Sequence, residues 1–254
     1  MSSTDRSQRE YGRGGWIGLG TPQANPTMEA EFRRLLPPDV DLLVTRLRGD
    51  AGSSEQRMVD YIEQLPRALQ AYDTLKPDVF GFGNTGSSYL VGAKREAEIR
   101  AAVEREFGYP VVTAAGAVLE ALRALGAGRI AILAPYPQPI IDASVAFWEA
   151  AGLRVAAVRR IDIGSDDTRN IYGLRAADAL GALADLPVRD ADAVLLSGTG
   201  MPSLAAIGQA APLLGKPVVS SNYCLAWALL RVLGDPRPIW DAATGPTLPL
   251  SLMP

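Results

Sequence analysis

Short apolar runs rich in β-branched residues alternate along this chain with longer stretches whose apolar positions recur every three to four residues. The short runs fall at Trp16–Gly20, Val40–Thr45, Val79–Gly83, Pro110–Val112, Arg129–Ala134, Arg154–Val158, Ala193–Ser197 and Pro217–Val219. Apolar runs this short, bounded by turn residues, predict buried parallel strands. The longer stretches predict helices near Thr27–Leu36, Glu55–Thr74, Leu90–Phe107, Ala115–Leu125, Pro139–Ala151, Leu174–Leu186, Ser203–Leu214 and Ser221–Leu233. Such βαβ alternation predicts an α/β fold.

An internal repeat divides the pattern in two. Phe82-Gly83-Asn84-Thr85-Gly86-Ser87 is echoed 114 positions later by Leu196-Ser197-Gly198-Thr199-Gly200-Met201, and Ile17-Gly18-Leu19-Gly20-Thr21 by Ala131-Ile132-Leu133-Ala134-Pro135 at the same offset. Gly108-Tyr109-Pro110-Val111-Val112-Thr113 matches Gly215-Lys216-Pro217-Val218-Val219-Ser220 at an offset of 107. The second half is therefore shorter between its third and fourth strands. Two pseudo-symmetric Rossmann-like lobes follow, each a four-stranded parallel sheet flanked by helices through right-handed crossovers, with the active-site cleft between them. Residues 16–115 make the first lobe, with 221–240 packing back on it, and 116–220 the second. Residues 1–15 are expected to be disordered, and 241–254 to form a proline-rich tail.

Composition narrows the chemistry. The 254 residues hold 25 Lys+Arg and 28 Asp+Glu, a net charge of −3 with no basic patch, so no nucleic-acid partner is expected. Neither a membrane span nor a secretory leader is apparent in the polar N-terminus, which points to a cytoplasmic protein. Zero histidines remove Ser-His-Asp and Cys-His catalysis, and one cysteine, Cys224, leaves no disulfide framework or thiolate metal site. Cys224 falls on the helical stripe with Ala228 and Val232 and reads as core. The acidic run Asp162–Asp167 lacks the spacing of a calcium loop and reads as a solvated turn. No metal and no cofactor are expected.

In open α/β sheets, ligands sit beyond the carboxyl ends of the strands. Those positions carry Asn25, Asn84-Thr85-Gly86-Ser87-Ser88, Tyr136, Gly198-Thr199-Gly200 and Asn222. A turn such as 84–88 opening a helix presents N–H groups and hydroxyls where the helix dipole favours an anion, so it is a candidate carboxylate cradle. Gly198-Thr199-Gly200 is a second one, with Ser203 also readable as a plain N-cap. Capping accounts for Thr27 as well as ligand binding does, whereas Asn25 has an amide free to complete an anion site. Tyr136, held between prolines, can donate a hydrogen bond or a proton to a developing oxyanion, or can pack over the rim.

The segment Asn25-Pro26-Thr27-Met28-Glu29 resembles the Asn-Thr-Thr-Met-Glu segment of maleate isomerases. Residues Ala117–Gly126 and the strand after them are similar to arylmalonate decarboxylase. The resemblance, over about residues 16–235, is to that branch of the aspartate/glutamate racemase superfamily. It implies a cofactor-free enzyme in which two cysteines flank a substrate carboxylate; here those positions hold Asn84 and Gly198, the candidate catalytic positions together with Tyr136. It places Thr85, Gly86, Tyr136, Thr199 and Gly200 in a dioxyanion hole and Asn25 and Asn222 on the substrate, and Ser87 adds a donor. The expected function is a lyase or isomerase acting on a small carboxylate, with decarboxylation through an enediolate favoured and Tyr136, Ser197 or water as proton donor. A maleate isomerase or racemase, a variant whose cysteine at 84 has been replaced, and a non-catalytic carboxylate binder are the alternatives. A homo-oligomer is possible on the apolar segment Cys224–Leu233.

Overall fold

The structure is a computed structural model and describes residues 6–50 and 52–250. Strands β1 (Gly15–Pro22), β2 (Val40–Leu47), β3 (Val79–Phe82) and β4 (Val111–Thr113) form one sheet in the order β2-β1-β3-β4. Strands β5 (Arg129–Ala134), β6 (Arg154–Arg160), β7 (Ala193–Leu196) and β8 (Val218–Ser220) form a second in the order β6-β5-β7-β8. Every neighbour within these two sheets is parallel. The two orders are identical, and the strand starts of the halves differ by 114, 114, 114 and 107, the offsets of the sequence repeat. Strands β3 and β7 are buried at every position because helices cover both faces, while the edge strands β2 and β6 are mostly half-buried.

Helices α1 (Thr27–Leu35), α5 (Ala114–Ala124), α6 (Gln138–Ala150), α7 (Ala176–Ala184), α8 (Leu204–Leu214) and α9 (Ser221–Leu233) lie where periodicity predicts them. The expected helix Glu55–Thr74 is instead α2 (Ser54–Glu63), started by the Ser53 hydroxyl accepting from the Gln56 N–H, and a short α3 (Leu65–Leu69). Pro66 sits in the first turn of α3, where its missing N–H is harmless, and could not continue α2. Helix α4 (Thr85–Phe107) begins five residues before the expected Leu90 because Asn84 caps it, and it is kinked at Gly92, whose φ of 77° only glycine adopts freely. Helix α9 closes the first lobe from the end of the chain: a Cβ on Gly81 of β3 would fall 2.8 Å from Leu229 Cδ1, so the bare glycine lets α9 seat on that sheet.

The expectation of disorder over residues 1–15 is corrected for residues 6–14; residues 1–5 lie outside the described residues. Residues 6–8 form a 3-10 turn, and the Arg9 guanidinium donates to both Asp78 carboxylate oxygens at 2.6 and 3.2 Å and stacks 3.7 Å over the Trp16 ring. The proline-rich segment is likewise docked as far as residue 250. It makes an antiparallel pair, β9 (Trp240–Asp241) with β10 (Gly245–Pro246), and buries Leu248, whose N–H donates to the Tyr223 hydroxyl at 3.1 Å. Among the described residues no helix is long and apolar enough to cross a membrane.

Candidate functional site

The carboxyl ends of both sheets meet at a small cavity of about 20 Å³, room for one water. Pro22, Asn25, Met58, Tyr61 and Asn84 line it from the first lobe, and Tyr136, Thr168, Ile171, Tyr172, Gly198, Thr199 and Gly200 from the second. None of these side chains is charged at neutral pH. Among the described residues no cluster of acidic, cysteine or histidine side chains is arranged to hold a metal.

Six of the expected residues reach the cavity: Asn25, Asn84, Tyr136, Gly198, Thr199 and Gly200. Asn84 caps α4, its Oδ1 accepting from the Ser87 N–H at 2.8 Å. Asn25 accepts the Thr27 and Met28 N–H groups at 2.9 and 3.2 Å, and its Nδ2 lies 3.4 Å from Thr199 Oγ1 in the other lobe. Thr199 in turn donates to the Gly83 carbonyl at 2.9 Å, so each lobe's turn is tied to the other. Gly198, at φ 118°, has no side chain to fill the space beside Tyr136; a Cβ there would lie 3.5 Å from the Tyr136 hydroxyl.

Thr85 and Gly86 do not line the cavity but contact Tyr136. The Thr85 and Tyr136 hydroxyls are 3.0 Å apart, and the Gly86 backbone amide lies near enough to the phenol oxygen to favour its anion. Tyr136 is buried, which pushes its phenol up to about 12, so it is protonated at neutral pH. Behind it Thr85 lies beside Tyr89, whose hydroxyl is 2.9 Å from Ser197 Oγ. Gly86 has its own steric reason: a Cβ would fall 2.5 Å from Met58 Sδ.

Two residues expected at the substrate are engaged by the protein itself, although the buried Asn222 Oδ1 keeps no partner. Ser87 gives its hydroxyl to the Met58 carbonyl at 2.6 Å, and Asn222 gives its amide hydrogens to Glu31 and to the Thr199 carbonyl at 2.8 and 3.0 Å; neither lines the cavity. Ser88 is likewise used internally, donating to Glu96 at 3.1 Å. Residue type marked these side chains as donors, but the partner was the protein itself. Cys224 is buried in α9, where burial pushes its thiol well above the usual range, as expected of a core cysteine.

The acidic run 162–167 is a largely solvated turn, as expected, with Asp162 and Asp166 exposed and Asp167 half-buried, but it also serves as a connection. It leads into a 3-10 segment, Thr168–Gly173, that crosses from the second lobe onto α2 of the first. Arg57, itself buried, donates from Nη2 to Asp167 at 3.0 Å and to the hydroxyls of Thr168 and Ser54, and Ser54 Oγ donates to the Asp166 carbonyl at 3.0 Å. The Arg169 hydrogen bonds hold the Asp167 carboxyl down at about 2. This strap lays Tyr172 against Gly200, where a Cβ would fall 2.7 Å from the ring, and it roofs the cavity. Met58, Tyr61, Thr168, Ile171 and Tyr172 went unread because an amphipathic helix and an irregular acidic loop give no sign that they face each other.

The family profile described as arylmalonate decarboxylase matches residues 17–243. A maleate isomerase of Pseudomonas putida is 30% identical over 240 residues, covering 89% of this chain and 94% of that one. An arylmalonate decarboxylase of Bordetella bronchiseptica is 29% identical over 226 residues, covering 86% and 90%. Among solved structures, a maleate isomerase of Pseudomonas putida with maleate matches at a TM-score of 0.78 and 26% identity, over 86% of this chain and 91% of that one. A double mutant of arylmalonate decarboxylase in its liganded form matches at 0.77 and 25%, over 87% and 94%.

Proposed function

The chain belongs to the arylmalonate decarboxylase family and is an enzyme with isomerase or decarboxylase activity, and on that premise we propose that it decarboxylates a small α-substituted malonate without a cofactor. The observation that carries this reading is the position of the Tyr136 phenol. It touches Thr85 and Gly86 of one turn and stands beside Gly198 of the other.

A malonate exceeds the one-water space, so the strap carrying Ile171 and Tyr172 must move outward to admit it. One substrate carboxylate is then held by the neutral donors of the turns, while the apolar wall of Met58, Ile171 and Tyr172 accepts the α substituent. The second carboxylate meets no cation among the lining residues, which leaves its charge poorly solvated and favours its departure. The bond from the α carbon to that carboxylate breaks, carbon dioxide leaves, and the electron pair passes into the remaining carboxylate as an enediolate. Fixed donors aimed at such a developing charge are usually the largest catalytic contribution. Tyr136, protonated because it is buried, gives its proton to the α carbon and recovers one from water, so each turnover consumes one solvent proton.

Isomerisation of maleate by covalent addition needs a nucleophile at the alkene, and racemisation needs a base on each face. Asn84 and Gly198 supply neither, and Cys224 is enclosed in α9. The test is proton NMR in heavy water with phenylmalonate, alkylmalonates and maleate. The expected product carries one deuterium at the α carbon, and Tyr136→Phe slows its formation by about 10²- to 10⁴-fold. Conversion of maleate, or α-proton exchange without loss of carbon dioxide, would refute the lyase reading.

A further inference from the structure

The buried face of α1 is made by Thr27, Met28, Glu31, Phe32 and Leu35, and Glu31 is the one acidic side chain on it. Its Oε1 accepts the Ser203 N–H at 2.5 Å and the Leu204 N–H at 3.1 Å, and its Oε2 accepts Ser203 Oγ at 3.0 Å and Asn222 Nδ2 at 2.8 Å. Ser203 makes no cap bond of its own, so a carboxylate from the first lobe caps α8 of the second. The other Asn222 amide hydrogen goes to the Thr199 carbonyl, and Thr27, one turn before Glu31, donates to the Gly200 carbonyl at 2.8 Å. The turn that lines the cavity is thus hung from α1 at two carbonyls.

The repeat shows what this arrangement changes. Helix α4 starts at Thr85, directly at the cavity, whereas the position 114 residues on is Thr199 and α8 starts only at Leu204. The N-terminal N–H groups of α8 face Glu31, and their attraction for an anion is already satisfied. Burial also holds the Glu31 carboxyl above the usual carboxylate range, as expected where desolvation opposes four favourable hydrogen bonds.

We propose that Glu31 is a positioning residue: through Asn222 it sets the Gly198–Thr199–Gly200 turn against the first-lobe turn, and by occupying the α8 N-terminus it leaves the substrate carboxylate to the α4 side. The inference rests on the cavity being the carboxylate site. Glu31→Gln is the selective variant, because its remaining carbonyl oxygen still accepts from Ser203 and Leu204. The new amide, however, faces Asn222 Nδ2, donor to donor. Relief requires Asn222 to flip, and that takes the hydrogen bond away from the Thr199 carbonyl.

The experiment compares Glu31→Gln, Asn222→Ala and the double variant of the full chain by steady-state decarboxylation of phenylmalonate and by amide hydrogen exchange. The expected result for Glu31→Gln is a kcat about 100-fold lower with KM within about threefold, since a misplacement of about 1 Å costs that much in rate while the carboxylate stays on the α4 side. Exchange quickens at 198–200 and not at 84–88, and the double variant is no worse than Asn222→Ala. A raised KM at unchanged kcat, unchanged exchange at 198–200, or additive losses would overturn the proposal. If the parent protein leaves phenylmalonate intact, the lyase reading is lost, and the exchange pattern, with the double variant no faster at 198–200 than Asn222→Ala, still decides the role of Glu31.

Discussion

Returning a thiol to the two positions where the family resemblance places cysteines perturbs the lobes unequally, and the backbone says by how much. Asn84 has φ −147°, open to any residue, so Asn84→Cys forfeits mainly the cap to the Ser87 N–H, about 1 kcal/mol. At Gly198 there is room, since a Cβ meets Pro135 Cδ at 3.4 Å and the Tyr136 hydroxyl at 3.5 Å, both ordinary contacts. The obstacle is φ 118°, a region L residues avoid at about 1–3 kcal/mol, offset in part by the lower unfolded-state entropy of a non-glycine, about 0.4–1 kcal/mol. Gly198→Ala and Gly198→Cys should therefore each lose about 1–2 kcal/mol, a fall in Tm of about 2–8 °C. The assay is urea and thermal unfolding of all three variants, with Gly198→Ala separating strain from thiol chemistry. A Gly198→Ala protein as stable as its parent would show that the strained backbone is not the reason for glycine there. In the same panel only Asn84→Cys should gain maleate turnover, because only its thiol sits at a helix N-terminus, which favours the thiolate.

With Tyr136 held up at about 12, kcat/KM should be flat from pH 7 to 10, and a basic limb with a midpoint near 8 would assign the proton to some other group. Arg57→Met should loosen the strap by about 1–2 kcal/mol, discounted because Asp167 is a third exposed and keeps Arg169, and should raise proteolysis at 162–173. Asp167 is depressed to about 2, so its stabilisation is complete above its ordinary value near 4 and is lost as pH falls toward 2. Strap protection, read by hydrogen exchange, should then be unchanged from pH 8 to 5. Cys224→Ser should cost about 1–3 kcal/mol in urea unfolding for an unpaired buried hydroxyl and leave kcat unaltered, since the side chain is core.

The fold was legible because each strand is a short apolar run and because the duplicated strand ends preserve their spacing; β3 and β7, buried at every position, were the clearest. The site was legible in its turns and not in its roof. Thr168 and Tyr172 owe their place to Arg57, more than a hundred positions away, and no local pattern announces a pairing at that distance. Ser87 and Asn222 have the chemistry of ligand donors, yet a hydroxyl or an amide finds a buried carbonyl as readily as a substrate. Glu31 did leave a signal: a carboxylate in phase with Met28, Phe32 and Leu35 on an apolar face must have partners waiting for it.

The duplicated lobes make a cleft that is symmetric in topology and asymmetric in chemistry. Matched acids on opposite faces of a substrate carbon would need equivalent side chains at 84 and 198, but one position carries a capping amide and the other a bare glycine in a conformation that L residues avoid. The helix behind the first turn starts at the cavity, while the one behind the second starts five residues later and is capped by Glu31. What remains between the turns is one phenol, fixed by Thr85 and Gly86 on the first-lobe side. Under the proposed reaction that phenol can reach only one face of a planar enediolate, so the same asymmetry that removes two-base exchange gives proton delivery a single direction.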